Sequence, residues 1–251
     1  MIENFKRPKV AAIVPAYNEE KTIGNVLKTL KLAKELDEII VVSDGSTDKT
    51  AQISKSFGVN PVRNFKNNAF SNTFESKISN GVKVLEGLER AGKGKAMKKG
   101  VKNTDAGIII FFDADLIGLS PEHVSQLVQP ILKGEAEMVV GIRDRIGETP
   151  LFLLKIDPLL AFGGERAMRR EIFENLPERF SRGFEIETAL NFYCQVNKIP
   201  VKYVKLKGLK MIIKEKKYGW LKGFLERLKM QWEMIKIRIL LLFHKREFKT
   251  R

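Results

Sequence analysis

Short runs of Val, Ile and Phe alternate along this chain with segments whose apolar residues return every three or four positions. That is the pattern of βαβ units around a mostly parallel sheet. Strands are expected at residues 10–14, 38–43, 82–85, 107–112, 137–141 and 201–206. Between the first two, residues 19–36 place Ile23, Val26, Leu27 and Leu30 on one helical face. Further helices are expected at 48–57, 93–102, 120–133, 166–176 and 183–196. Ser120-Pro121-Glu122 is a strong helix start, combining a capping hydroxyl, a preset φ and an acid in the first turn.

Two segments break the pattern. Residues 59–81 hold six Asn, three Ser and three Phe without periodicity, and deleting them joins a helix, a turn and a strand, so they read as an insertion into a surface loop. From residue 220 to 243, Trp220, Leu221, Phe224, Leu225, Leu228, Trp232, Ile235, Ile239 and Leu242 recur at three and four with Lys and Arg between them. The longest apolar run there, 239–243, is far short of the roughly 20 residues a spanning helix needs. A basic amphipathic helix of this kind is expected to lie on a membrane surface; the same stripe also suits packing on its own domain or on a second copy of the chain. The chain therefore divides into a domain at 1–208 and a helical tail at 209–251.

At 251 residues the chain can bury a full core, and 43% hydrophobic with 30% charged residues is a globular composition. One cysteine and two histidines exclude a disulfide scaffold and a Cys/His zinc cluster, which points to a reducing, cytoplasmic setting, and the charged N-terminus does not read as a signal peptide. The net charge of +15 raises the question of nucleic acid. Residues 205–251 carry 15 Lys and Arg against 4 Asp and Glu, however, whereas the first 204 residues are nearly balanced. The basic excess belongs to the tail, where it is interleaved with large apolar side chains, so no specific nucleic-acid partner is expected.

Four motifs fall at strand ends, where open α/β sheets bind ligands. Pro15-Ala16-Tyr17-Asn18-Glu19-Glu20 forms a turn that offers an aromatic face for a base and a carboxylate for hydroxyls. Asp44-Gly45-Ser46-Thr47-Asp48 puts a carboxylate, Asp44, after the second strand, while Thr47 and Asp48 suit a helix cap. Gly92-Lys93-Gly94-Lys95 opens a helix with amides and ammonium groups suited to phosphate, without Walker spacing. Ile108 to Phe112 runs into Asp113-Ala114-Asp115, two carboxylates that repel unless a cation such as Mg²⁺ or Mn²⁺ neutralises them. Asp115 is the expected metal ligand, with Asp113 beside it.

In this order the four motifs resemble family 2 glycosyltransferases of the GT-A fold, and within them the branch of dolichyl-phosphate mannosyltransferases and glucosyl-phosphoglycerate synthases. The resemblance runs over residues 9–206 apart from the insertion. It implies that Pro15, Ala16, Tyr17, Glu19 and Asp44 hold the nucleoside, that Lys93 lies by the phosphates, and that Asp113 and Asp115 contact ribose and metal. Residues 162–171 resemble the family's acceptor-side loop, which assigns Gly164, Arg166, Arg169 and Arg170 to an anionic acceptor, though spacing alone also suits a solvated basic helix face. Residues 183–188 resemble a segment carrying an acid near the acceptor. Glu185 is expected in the site, as a catalytic residue with Asp113 and Asp115, and Glu187 in packing or an ion pair.

The expected activity is metal-dependent transfer of a hexose from a UDP- or GDP-sugar to polyprenyl phosphate, by an enzyme peripheral to the inner face of the membrane. The alternative acceptor is a small phosphorylated molecule such as phosphoglycerate. A basic nucleic-acid-binding protein is the rival from another class. A nucleotidyltransferase would need a basic activating loop near the N-terminus, where residues 15–20 are acidic.

Overall fold

The computed structural model describes residues 7–58, 81–143, 164–180, 185–211, 236 and 239–249. The chain runs β1 (Val10–Ala16), α1 (Ile23–Leu32), β2 (Glu38–Ser43), α2 (Thr50–Ser56), β3 (Val82–Glu86), α3 (Lys93–Val101), β4 (Ile108–Phe111), β5 (Leu116–Ile117), α4 (Pro121–Leu132) and β6 (Met138–Arg143). It continues through β7 (Arg166–Arg169), α5 (Arg170–Glu174), α6 (Glu185–Val196), β8 (Val201–Leu206) and β9 (Lys210–Met211). Seven strands form one sheet in the order β3-β2-β1-β4-β7-β6-β8, and β5 pairs with β9 separately. All pairings in the large sheet are parallel except those of β7, which is antiparallel to both β4 and β6.

The central strands are continuously apolar because both sheet faces are covered. Ile108 and Ile110 of β4 enter a core shared with α1 and α4, and Ile109 and Phe111 enter the opposite one, shared with α3, α5 and α6. The period of two thus splits one hydrophobic run between two layers. Burying a large apolar side chain fully contributes roughly 1.5–3 kcal/mol, whereas a half-exposed pair such as Arg7–Asp37 contributes at most about 1 kcal/mol. The two cores therefore hold the sheet.

Two expected helices change. The first runs from Ile23 to Leu32 rather than from Glu19 to Leu36, and the chain enters it through a turn in which the Thr22 amide bonds the Glu19 carbonyl. Residues 166–176 were expected as one helix, yet Arg166–Arg169 form β7 and only Arg170–Glu174 are helical. Arg, Ala and Met are among the best helix formers, but intrinsic propensity is a weak preference, and a four-residue slot with ladder partners on both sides overrides it. The Ser120 cap forms as expected, with His123 Nδ1 accepting the Ser120 amide in the place a Glu would occupy.

Most of the expected tail helix, and residues 59–80 of the expected insertion, lie outside the described residues. Within the tail, Lys210–Met211 return to pair with β5. Leu241 and Phe248 are buried in the domain, where the Phe248 ring meets Phe180 and Phe192 at 5.0 and 5.1 Å between centroids and its carbonyl accepts from Asn197. Ile239, Leu240, Leu242 and Phe243 are exposed. This end of the tail packs on its own domain, the second of the roles its pattern allows. No helix among the described residues is long and apolar enough to cross a membrane.

Candidate active site

The parallel register brings the carboxyl ends of β1, β2, β4 and β6 to one edge, and antiparallel β7 adds its amino end there. Pro15 and Ala16 close β1 beside Val42 and Ser43. The next turn is fastened to the β2 loop by polar bonds: Asn18 Oδ1 accepts the Thr47 amide, Thr50 Oγ1 accepts the Glu19 amide, and Asp48 accepts the Glu20 amide. Asp48 also accepts the Thr50 amide ahead of α2, although the N-cap position itself falls to Lys49, whose side chain makes no capping bond. Asn18 can turn the chain here because it tolerates the left-handed conformation it holds, with φ of 54°.

Asp44, nearly buried, uses one carboxylate oxygen for the Ala91 amide at 2.9 Å and the other for the Gly92 amide at 2.7 Å. It holds the Gly92-Lys93-Gly94 loop in place. Gly45 permits this approach, since its φ is +70° and a Cβ there would lie 2.5 Å from the Glu89 backbone. The same loop carries Arg90 over the Tyr17 ring, 4.3 Å from its centroid. One face of the ring expected to meet a base is thus covered by a cation.

Asp113 is the hub of the site. Its Oδ1 accepts from Lys93 Nζ at 2.7 Å and its Oδ2 from Arg143 Nη2 at 2.5 Å. Arg143 also clasps Glu165, fully buried, through Nε at 2.6 Å and Nη2 at 2.5 Å. Burial works to raise the Asp113 pKa, but Lys93 and Arg143 outweigh it and hold the carboxyl below the usual range. Lys93 is raised in turn, its own burial outweighed by Asp113 and Glu187.

Asp115 stands in the opposite condition. Burial, then the charges of Asp113 and Glu19, push its carboxyl above the usual range. Among the described residues no three His, Cys, Asp or Glu side chains gather around one metal position. These residues fit a divalent cation held by one or two carboxylates with substrate oxygens completing its shell, which is how Mg²⁺ and Mn²⁺ are usually held.

The acceptor-side expectations divide. Gly164 lies in the site, but for clearance: a Cβ there would sit 2.5 Å from Asp113 Oδ2. Arg166 reaches the same edge and is fully buried, donating from Nη1 to the Glu187 carbonyl at 3.0 Å, with Nη2 3.6 Å from Glu187 Oε2. Its guanidinium bonds α6 at Glu187 and Asn191. Arg169 and Arg170 sit at the far end of β7, level with the start of β4, because an antiparallel strand carries successive residues away from this edge. They pair with Glu137 and Glu174 and take no part in the site. The side chain of Glu185 lies outside what is described, whereas Glu187, expected in an ion pair, bonds Lys93 Nζ at 2.8 Å. Arg143 and Glu165 went unassigned in the sequence, although Arg143 ends an apolar strand as Asp44 and Asp113 nearly do.

Comparison with known proteins agrees with this geometry. Residues 11–198 match the model of glycosyl transferase family 2. The glucosyl-3-phosphoglycerate synthase of Mycolicibacterium smegmatis is 30% identical over 206 residues, covering 72% of this chain and 62% of that protein. The synthase of Petrotoga mobilis is also 30% identical, over 72% of this chain and 59% of that protein. The chain thus spans about three fifths of the length of these curated relatives. A crystal structure of the Mycobacterium tuberculosis synthase in complex with Mn²⁺, UDP and glucosyl-3-phosphoglycerate aligns with a TM-score of 0.67 at 25% identity, covering 93% of this chain and 79% of that one. With the family model matched across the sheet whose strand ends carry the four motifs, the chain belongs to glycosyl transferase family 2 and has the GT-A fold.

Proposed function

We propose that this protein is a metal-dependent glycosyltransferase that moves glucose from UDP-glucose to a small phosphorylated acceptor of the phosphoglycerate kind. The observation that carries the reading is the Asp113–Lys93 pair at 2.7 Å, beside the Gly92-Lys93-Gly94 loop that Asp44 grips, with a second carboxylate, Asp115, two residues further on. Such a site is suited to a divalent cation and a diphosphate arriving together. Of the two acceptors expected from sequence, the relatives favour phosphoglycerate over polyprenyl phosphate. The packing of Leu241 and Phe248 on the domain is consistent with that preference.

In this reading Tyr17 and Glu19 border the nucleoside, and Asp44 keeps the Gly92-Lys93-Gly94 loop at the diphosphate. Arg143 and Glu165 fix Asp113. Bound Mg²⁺ or Mn²⁺ would rest on Asp115 and offset charge developing on the leaving diphosphate. The protein's share of the work is positioning and a preset electrostatic field.

Incubation with UDP-glucose, Mn²⁺ and 3-phosphoglycerate is expected to give a glucosylated phosphoglycerate by mass spectrometry, lost on adding a chelator. Transfer only to polyprenyl phosphate would overturn the acceptor, and transfer from GDP-mannose alone would overturn the donor. A hydroxyl acceptor, unlike a phosphate, must lose a proton, which calls for a carboxylate near it. Glu185→Gln is therefore expected to lower turnover about 100-fold, and full turnover would remove Glu185 from that role. Gly164→Ala should displace Asp113 and lower turnover by roughly 100-fold, since ångström-scale misplacement is enough for such a loss. Unchanged kinetics would show that the loop yields instead.

A further inference from the structure

Glu187 ties together four elements that the chain brings from distant places. Its side chain is 14% exposed and its Oε1 accepts from Lys93 Nζ, at the start of α3, at 2.8 Å. The same ammonium bonds Asp113, after β4, at 2.7 Å. On the other side Arg166, at the start of β7 and without any exposure, holds Glu187 by its backbone carbonyl at 3.0 Å and faces its Oε2 at 3.6 Å. Arg166 Nη1 also donates to Asn191 Oδ1, one turn further along α6.

Lys93 belongs to the phosphate side of the site, while α6 and β7 belong to the side expected to take the acceptor. Lysine is a flexible point charge with no fixed fork of donors, so its position is set by the anions around it. Asp113 alone would leave the ammonium free to swing about one contact; Asp113 and Glu187 together fix it between them. Arg166, without exposure, meets the site by way of Glu187.

We propose that Glu187, backed by Arg166, is a positioning residue that sets the Lys93 ammonium for the diphosphate of the donor. This deepens the function proposed above and rests on it. Glu187 does not add attraction for the nucleotide, because it is itself an anion and opposes the diphosphate charge. Its removal therefore separates binding from turnover.

The test is Glu187→Gln, assayed by calorimetric titration of UDP with Mn²⁺ and by turnover of UDP-glucose with 3-phosphoglycerate. The nucleotide Kd is expected to stay level or tighten by up to about tenfold, while kcat falls about tenfold or more. Weaker nucleotide binding, or a fall in kcat of less than about threefold, overturns the proposal. If Arg166 acts only through Glu187, then Arg166→Met with Glu187→Gln should give the same kcat as Glu187→Gln alone, and additive losses would refute that link. The double variant also leaves no buried charge unpaired, so it keeps the test open if Glu187→Gln by itself folds poorly. Failure of the functional reading looks different: the wild-type chain would then neither bind UDP nor consume UDP-glucose.

Discussion

Arg143→Met is expected to destabilise the folded chain by about 3–5 kcal/mol, the usual cost of removing one partner from a buried ion pair. Arg143 is 6% exposed and Glu165 not at all, and three of the short bonds at the site run between Arg143 and its two carboxylates. Without the guanidinium, Glu165 would have to stay ionised in an apolar setting or take up a proton. Burial already pushes its carboxyl above the usual range against the pull of Arg143. Adding Glu165→Gln should recover part of the loss, because the uncompensated charge is then gone. Urea unfolding of the single and double variants checks both statements. A single-variant loss below about 1 kcal/mol would mean that the cluster behaves as a surface pair does.

Asp115→Asn is expected to remove activity and yet stabilise the protein when no metal is added. The carboxyl of Asp115 is raised in the folded state, first by burial and then by Asp113 and Glu19. A group raised on folding contributes stability below its unfolded pKa, near 4 for aspartate, and that contribution is lost as pH rises through the folded value. At neutral pH the ionised carboxylate is therefore a net cost. The half-buried position limits the effect, and a rise of roughly 1–3 °C in Tm at pH 7, shrinking as pH is lowered toward 4, is expected. Turnover with UDP-glucose should fall at least about 100-fold, since the cation loses its protein carboxylate. Normal turnover in this variant, or a lower Tm at pH 7, would contradict the role given to Asp115. Sites that bind a cation commonly hold such unfavourable charge until the ligand arrives.

The motifs were legible because each is local. A buried strand running into Asp44 or Asp113 announces a strand-end site within a few residues, and Ser120-Pro121-Glu122 announces a helix start in three. The role of Arg166 was not legible, since its environment depends on residues 187 and 191 of another element. Arg169 and Arg170 looked like its companions, but alternate faces and an antiparallel course take them to the far edge of the sheet. At Gly164, glycine in a loop suggested access for an acceptor, and only the position of Asp113 shows that a side chain there would meet a carboxylate.

Hydrophobic periodicity and local motifs by themselves determined most of the succession of strands and helices and the edge at which carboxylates and the Gly-Lys loop would meet, because these follow from apolar spacing and from groups only a few residues apart. Only the tertiary structure decided that β7 is a strand, that Asp44 grips the Lys93 loop, and that Lys93 and Arg143 hold Asp113 while pairing in turn with Glu187 and Glu165. Those outcomes depend on contacts between residues 21 to 94 positions apart. Such contacts leave no trace in local spacing, and the strength of each charge is settled by the burial that the assembled fold imposes.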